Sequence, residues 1–425
     1  MLGAYVCSLG CQGIYFLLIA RMLQASEYGV FAGALALVTV MTAFTGVGAG
    51  SVMVMRVSRD RSEYAVQYGT AMVYVLVSAV PLVGLAAIAG YSSSASLGQV
   101  VLILSISELI FSSLLDLGYQ VNQAHDKLRR TALFMCTTAL LRLLAVISFG
   151  YLYPATPTAS AWALVYGGVS VVMGVTISIY CVKRYDRPRV SRCSLITTWR
   201  SGIWFAFGMS ARTTYVDADK FFLARYAPGQ DSTGAYAIAS RVATFATVPV
   251  QALVYSMNTT LFRAGQHGFD SSWKAIRKPS ILVVAYGVGA AVLMGIISPA
   301  LPMVLGSSFG EAASVVLFLC LLPLFQGVNY LFGDALMGIG QQRNRALLQG
   351  CSAVIAVVLN VCLVPELGWV GAAVSTMAAT VLLASTLVTC FVLGLARERA
   401  AVRRQQRRSL NSYEHLDRKV GRHAR

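Results

Sequence analysis

Apolar residues run along this chain in long stretches separated by short polar segments. A helix needs about 20 apolar residues to cross a hydrocarbon core. Twelve runs approach or exceed that length: roughly 1–20, 30–54, 67–90, 99–121, 132–152, 160–182, 201–224, 236–261, 280–303, 313–333, 348–364 and 370–394. The pattern predicts an all-α polytopic membrane protein. Composition agrees: 57% of the 425 residues are hydrophobic and only 12% are charged, where a soluble protein carries about 25% charged residues. So few charges cannot cover a solvated globule. A soluble enzyme, a nucleic-acid-binding domain and a disordered chain are therefore set aside.

Lys and Arg number 34 against 17 Asp and Glu, a formal charge of +17. In a soluble protein that surplus would suggest nucleic acid. Its placement points elsewhere. The connectors around Gln24–Glu27, Tyr91–Gly98, Pro154–Ser160, Pro228–Thr233, Gly306–Gly310 and Pro365–Gly368 are nearly free of basic residues, holding only Arg21 and Arg225 at their edges. The alternate connectors and the tail hold 28 of the 34. By the positive-inside rule the basic side is cytoplasmic, and an even span count places both termini there. The expected location is a bacterial cytoplasmic (inner) membrane. No cleavable signal peptide is expected, because Arg21 follows the first apolar run instead of preceding it. The nine cysteines fall in spans or on the basic side with no CxxC pair, so neither disulfides nor a metal site are expected.

The longest basic connector, Lys183–Arg200, divides the spans six and six. The expected organisation is an N-terminal bundle over 1–182, a linker over 183–200, a C-terminal bundle over 201–395 and a basic tail over 396–425. Weak self-similarity supports two halves. Ala20-Arg21 leads to Gly29-Val30-Phe31-Ala32, and Ala224-Arg225 leads to Gly234-Ala235-Tyr236-Ala237. Both halves have the same orientation, a parallel repeat of the kind transporters use.

Four basic residues lie inside predicted spans: Arg142, Arg212, Lys220 and Arg241. A charge at mid-helix costs about 2.5–3.5 kcal/mol on insertion scales, so each should face a cavity or a partner. The seventh span is the most polar, with Arg212, Asp217, Asp219 and Lys220 together. Asp217 and Lys220 are three apart and can pair. Arg212 and Asp219 are seven apart, on one face. Glu108 lies near the centre of span four, with Asp116 eight residues on and on a similar face. Asp334 lies at the inner end of span ten. Arg suits a phosphate because its planar fork donates paired hydrogen bonds. Arg142, Arg212, Lys220 and Arg241 are therefore candidates for an anionic headgroup. Glu108, Asp116, Asp217, Asp219 and Asp334 are candidates for ion coupling or gating. The competing explanation for each is a salt bridge that only holds helices together.

The segments Arg21-Met22-Leu23…Glu27-Tyr28-Gly29-Val30-Phe31-Ala32, Asp217-Ala218-Asp219-Lys220-Phe221-Phe222-Leu223, Gly234-Ala235-Tyr236-Ala237-Ile238-Ala239-Ser240-Arg241 and Gly340-Gln341-Gln342-Arg343, with Asn360, Pro365, Gly368 and Gly371-Ala372-Ala373, resemble the signatures of Wzx-type polysaccharide flippases. These belong to the multidrug/oligosaccharidyl-lipid/polysaccharide (MOP) exporter superfamily. The resemblance implies two six-helix bundles around a central cavity, as in MATE transporters. It implies movement of polyprenyl-pyrophosphate-linked oligosaccharide across the membrane by alternating access, for O-antigen, capsule or exopolysaccharide. It implies no cofactor, but H+ or Na+ as coupling ion. The implied partners are that glycolipid, membrane lipids and polysaccharide polymerase or export machinery, with no nucleic acid. An enzyme is not expected, since every outer connector is short and no catalytic dyad stands out. The alternatives are a MATE-like cation-coupled exporter, whose cavity should be dominated by acids, and a membrane polysaccharide polymerase.

Overall fold

The computed structural model describes the backbone of residues 2–58, 60–152, 157–226 and 230–423. The side chains of 1–9, 59, 128, 153–156, 200, 201, 204, 205, 208, 209, 212, 227–230, 258, 259, 307 and 405–425 are outside the described residues. The fold is all-α. Its helices are α1 (Leu2–Thr42), α2 (Ala49–Val57), α3 (Tyr64–Tyr91), α4 (Ala95–Ile106), α5 (Ser113–Ala124), α6 (Leu128–Leu152), α7 (Ala159–Arg184), α8 (Arg192–Tyr226), α9 (Gln230–Gly265), α10 (Phe269–Ile297), α11 (Leu301–Leu305), α12 (Ala312–Leu319), α13 (Leu322–Gly338), α14 (Gln342–Leu367) and α15 (Trp369–His423).

Among the described residues ten helical stretches are long and apolar enough to span a membrane. Two differences bring this to the twelve runs of the sequence. The first two runs lie in one stretch, because α1 continues through the expected connector and only kinks at Gln24 (φ 59°, ψ 177°). The seventh run lies in α8, seven of whose side chains are outside the described residues, and it is not among the ten.

Connectors expected on one side meet their own kind. The Glu27 carboxylate accepts from the Ala159 amide at 2.6 Å, and Arg225 donates to Ser92 at 3.3 Å. At the basic end Arg61 pairs with Asp126 at 3.2 Å, and the Arg189 amide donates to the Ala65 carbonyl at 2.8 Å.

The chain forms two compact units. The first comprises Met1–Val242, Met294–Leu319 and Gln349–Ala379. In it, α7 lies against the segment joining α4 to α5. A side chain at Gly174 would overlap the Phe111 backbone, so glycine there sets the approach. The second comprises Ala243–Leu293, Cys320–Leu348 and Thr380–Arg425. The Phe269, Trp273 and Phe332 rings gather on the buried Phe391. The Glu398 carboxylate accepts from the Phe269 amide at 2.5 Å, and Arg399 holds Asp270 at 2.8 Å.

Candidate functional site

Glu108 sits in a π-helical turn, Ser107–Ser112, between α4 and α5. Such turns widen the helix by one residue and concentrate at functional positions. The Glu108 carboxylate accepts from Ser112 at 2.8 Å and from Ser170 of α7 at 2.9 Å. Arg142 of α6 reaches the same carboxylate oxygen at 3.6 Å and donates to the Ser170 hydroxyl at 3.3 Å. Its guanidinium lies 4.2 Å from the centre of the Tyr166 ring. Arg142 Nε is buried with no hydrogen-bond partner among the described residues. The ion pair thus ties α6 and α7 to the π turn while one Arg donor stays unspent.

The second cluster lies where α1, α8 and α9 meet inside the first unit. Lys220 donates to Asp217 at 2.7 Å and to the Val216 carbonyl at 3.3 Å. The i,i+3 pair expected from spacing is present. Asp219 faces another way and is nearly fully buried, at 2% exposed. It accepts from the Tyr236 hydroxyl at 2.5 Å and from Thr376 of α15 at 2.7 Å, with Lys220 Nζ at 3.7 Å. Three hydrogen-bonding elements around one buried carboxylate satisfy a charge that would otherwise be costly.

Asp217, Lys220 and Arg241 line a cavity of about 100 Å³ together with Tyr15, Phe16, Tyr28 and Phe31. Arg241 stacks over Phe16 at 5.3 Å. It makes no hydrogen bond or ion pair with another described residue, although Asp217, Tyr15 and Tyr28 act on it electrostatically. A guanidinium carries five donors. Here they face a space large enough for a small anion, with aromatic faces beside it. The Tyr166 ring under Arg142 packs against Phe31, a lining residue, with ring centroids 5.6 Å apart, which sets Arg142 one ring back from the cavity.

The remaining candidates fall elsewhere. The Arg212 side chain is outside the described residues, so its expected place beside Asp219 lies there too. Asp116 does not share the Glu108 site. The π turn takes up an extra residue and rotates the face that follows, and Asp116 lines a separate cavity with Thr39, Ser113 and Gln120. Asp334, in the second unit, pairs with Arg345 at 2.8 Å. Sequence reasoning missed Ser170, Tyr166, Tyr236 and Thr376, since neutral residues in apolar helices carry no signal until their partners are known. It also missed Glu27, whose conspicuous charge in a bare outer connector was a usable hint.

A twelve-span helical chain with buried ion pairs and a cationic, aromatic cavity in its first unit has the features of a membrane transporter fold. The sequence matches the family model for "Polysaccharide biosynthesis protein" over residues 18–267, and the chain belongs to that family. Solved structures share the fold. An inward-facing multidrug resistance MATE family transporter of the MOP superfamily aligns with TM-score 0.73 at 16% identity, covering 91% of this chain and 98% of that one. The lipid II flippase MurJ, in an inward closed conformation, aligns at 0.71 and 14%, covering 92% and 87%. A MOP superfamily transporter from Pyrococcus furiosus, described as having a binding pocket of reversed polarity, aligns at 0.58 and 15%, covering 92% and 93%. No curated protein sequence gives a match.

Proposed function

We propose that this protein is a flippase. It carries polyprenyl-pyrophosphate-linked oligosaccharide from the cytoplasmic to the outer leaflet of the bacterial inner membrane by alternating access, with both termini cytoplasmic. The observation that carries the reading is the Arg241 guanidinium, its donors uncommitted among the described residues, lining a cavity with Lys220 and four aromatic rings, in a polysaccharide-biosynthesis chain. Arg241 and Lys220 receive pyrophosphate oxygens through charge-assisted hydrogen bonds. Arg142, behind the Tyr166 and Phe31 rings, supplies further positive potential. The rings offer stacking faces to a sugar. The MATE-like fold supports alternating access as the mode of movement, and a cation gradient drives the cycle.

The test is a strain lacking the gene, complemented with wild type, Arg241→Ala, Arg142→Ala or Arg212→Ala. The null strain accumulates lipid-linked repeat units on the cytoplasmic face, wild type clears them, and Arg241→Ala inserts normally without clearing them. Normal outer-leaflet delivery in the null strain, with no redundant flippase, refutes the proposal. A null strain that delivers glycan normally but becomes sensitive to cationic drugs supports the exporter alternative instead.

A further inference from the structure

Two of the buried ion pairs join separate helices. Glu108 and Arg142 tie the π turn to α6, and Asp334 and Arg345 tie α13 to α14. Asp217 and Lys220 differ. They are three apart on α8, so their 2.7 Å pair joins that helix to itself. A pair within one helical turn holds no second element in place.

Neither is Asp217 needed to balance Lys220. Asp219 Oδ1 lies 3.7 Å from the same Nζ. The Tyr236 hydroxyl, the Thr376 hydroxyl and the Lys220 amide all donate to Asp219 and fix it there. Asp219 thus supplies the buried ammonium with a counterion, and Asp217 is a second one. It is also the accessible one. Its side chain is 29% exposed, where that of Asp219 is 2%.

That exposure matters because Asp217 lines the cavity together with Lys220 and Arg241. Asp217 and Asp219 cancel the charges of Lys220 and Arg241, so with Asp217 in place the group has no net attraction for an anion. The donors are committed unequally. An ammonium has three protons. Around Lys220 Nζ stand Asp217 at 2.7 Å, the Val216 carbonyl at 3.3 Å and, more distantly, Asp219 at 3.7 Å. Each proton therefore has an oxygen of the chain to face. Arg241 makes no hydrogen bond or ion pair with another described residue. An entering anion meets Arg241 directly, and it gains Lys220 by taking the place of Asp217.

That exchange swaps one charge-assisted hydrogen bond for another at the same ammonium. It adds little net affinity at Lys220, and it is reversed when Asp217 returns. Two open cations in a partly buried cavity would instead hold a pyrophosphate tightly and release it slowly, since affinity differences at one site lie mainly in the off-rate.

We propose that Asp217 is a resident counterion that competes with the anionic ligand for Lys220, yielding as the anion binds and displacing it on return. This rests on the anion site proposed above. Asp217 acts through Lys220 and sets how readily the site lets go.

The test measures equilibrium binding and dissociation of radiolabelled inorganic pyrophosphate, at fixed pH, on the purified full-length chain in nanodiscs of zwitterionic lipid. Asp217→Asn keeps the side chain's size, removes its charge and leaves Lys220 beside Asp219. It is expected to bind about tenfold more tightly than wild type, the order of one hydrogen bond to a charged group, and to release the ligand correspondingly more slowly. A merely structural role for Asp217 gives no gain in affinity. Adding Lys220→Gln to Asp217→Asn is expected to abolish the gain, because the group competed for is then gone. If Asp217→Asn does not accumulate as folded protein, Asp217→Ser removes the same charge. An affinity equal to or below that of wild type overturns the proposal, as does a gain that survives Lys220→Gln. Binding that Arg241→Ala abolishes and Asp217→Asn leaves unmoved overturns the competitor and keeps the anion site. Saturable binding by neither wild type nor Asp217→Asn overturns the anion site itself.

Discussion

Replacing Glu108 with Gln removes one negative charge and almost no volume. The new side chain can still accept from Ser112 and Ser170, so the change isolates the charge. At 3.6 Å the attraction to Arg142 is about 4–5 kcal/mol for an effective dielectric of about 20. The two side chains are 13% and 18% exposed, so some of that is screened. The Ser170 bridge survives and offsets a little more. The expected loss is about 2–3 kcal/mol, near the lower end for stripping one partner from a buried pair. Replacing both charges, Glu108→Gln with Arg142→Met, leaves no stranded cation. That double variant should lie within about 1 kcal/mol of wild type, so with Arg142→Met alone also costing about 2–3 kcal/mol the pair gives a coupling energy of about 3–5 kcal/mol in the mutant cycle. Unfolding titrations in detergent measure the cycle, and accumulation of lipid-linked glycan measures transport in the same four strains. A stable double variant that no longer clears glycan assigns Arg142 a role toward substrate. A stable one that clears it normally makes the pair a structural tie. If Glu108→Gln alone stays within about 0.5 kcal/mol of wild type, the charge pairing of α6 with the π turn is refuted.

Three further outcomes follow from the same geometry. Tyr236→Phe removes a hydroxyl donor from the buried Asp219 carboxylate and should destabilise by about 1.5–3 kcal/mol, with Thr376→Val showing a similar, non-additive loss in unfolding titrations. Glu398→Ala frees the Phe269 amide and should lower stability by about 1 kcal/mol without changing glycan delivery in the complemented strain. Gly174→Leu drives a side chain into the Phe111 backbone and should abolish accumulation of folded protein, read by fluorescence-detection size exclusion.

Most of the architecture was legible because membrane spanning is written in composition. Helices α3 to α7 and α9 onward follow apolar runs whose length the bilayer dictates, and the charge alternation grouped the connectors that meet at each end. What stayed hidden was backbone conformation. Nothing in Gln24 announces a kink instead of a loop. Gly46-Val47-Gly48, which parts α1 from α2 at positive φ, reads like any other small-residue stretch in a chain with 37 glycines. The π turn at Glu108 needs hydrogen bonds no hydropathy window contains. The site divides the same way. Asp217 and Lys220 were legible because helical spacing fixes which local pairs can touch. The partners of Glu108, Asp219 and Asp334 were not, because Arg142, Thr376 and Arg345 lie on other helices. That division reframes the intramembrane charges. Among the described residues every candidate acid except Asp116 sits within 4 Å of a basic side chain, and every candidate base except Arg241 is in an ion pair with an acid. The two exceptions line different cavities of the first unit. A charge inside a span without a counterion is costly, and one that persists in a cavity is poised for a partner that arrives from outside the chain. Arg241 therefore leads the search for the anion, and Asp116 the search for the cation.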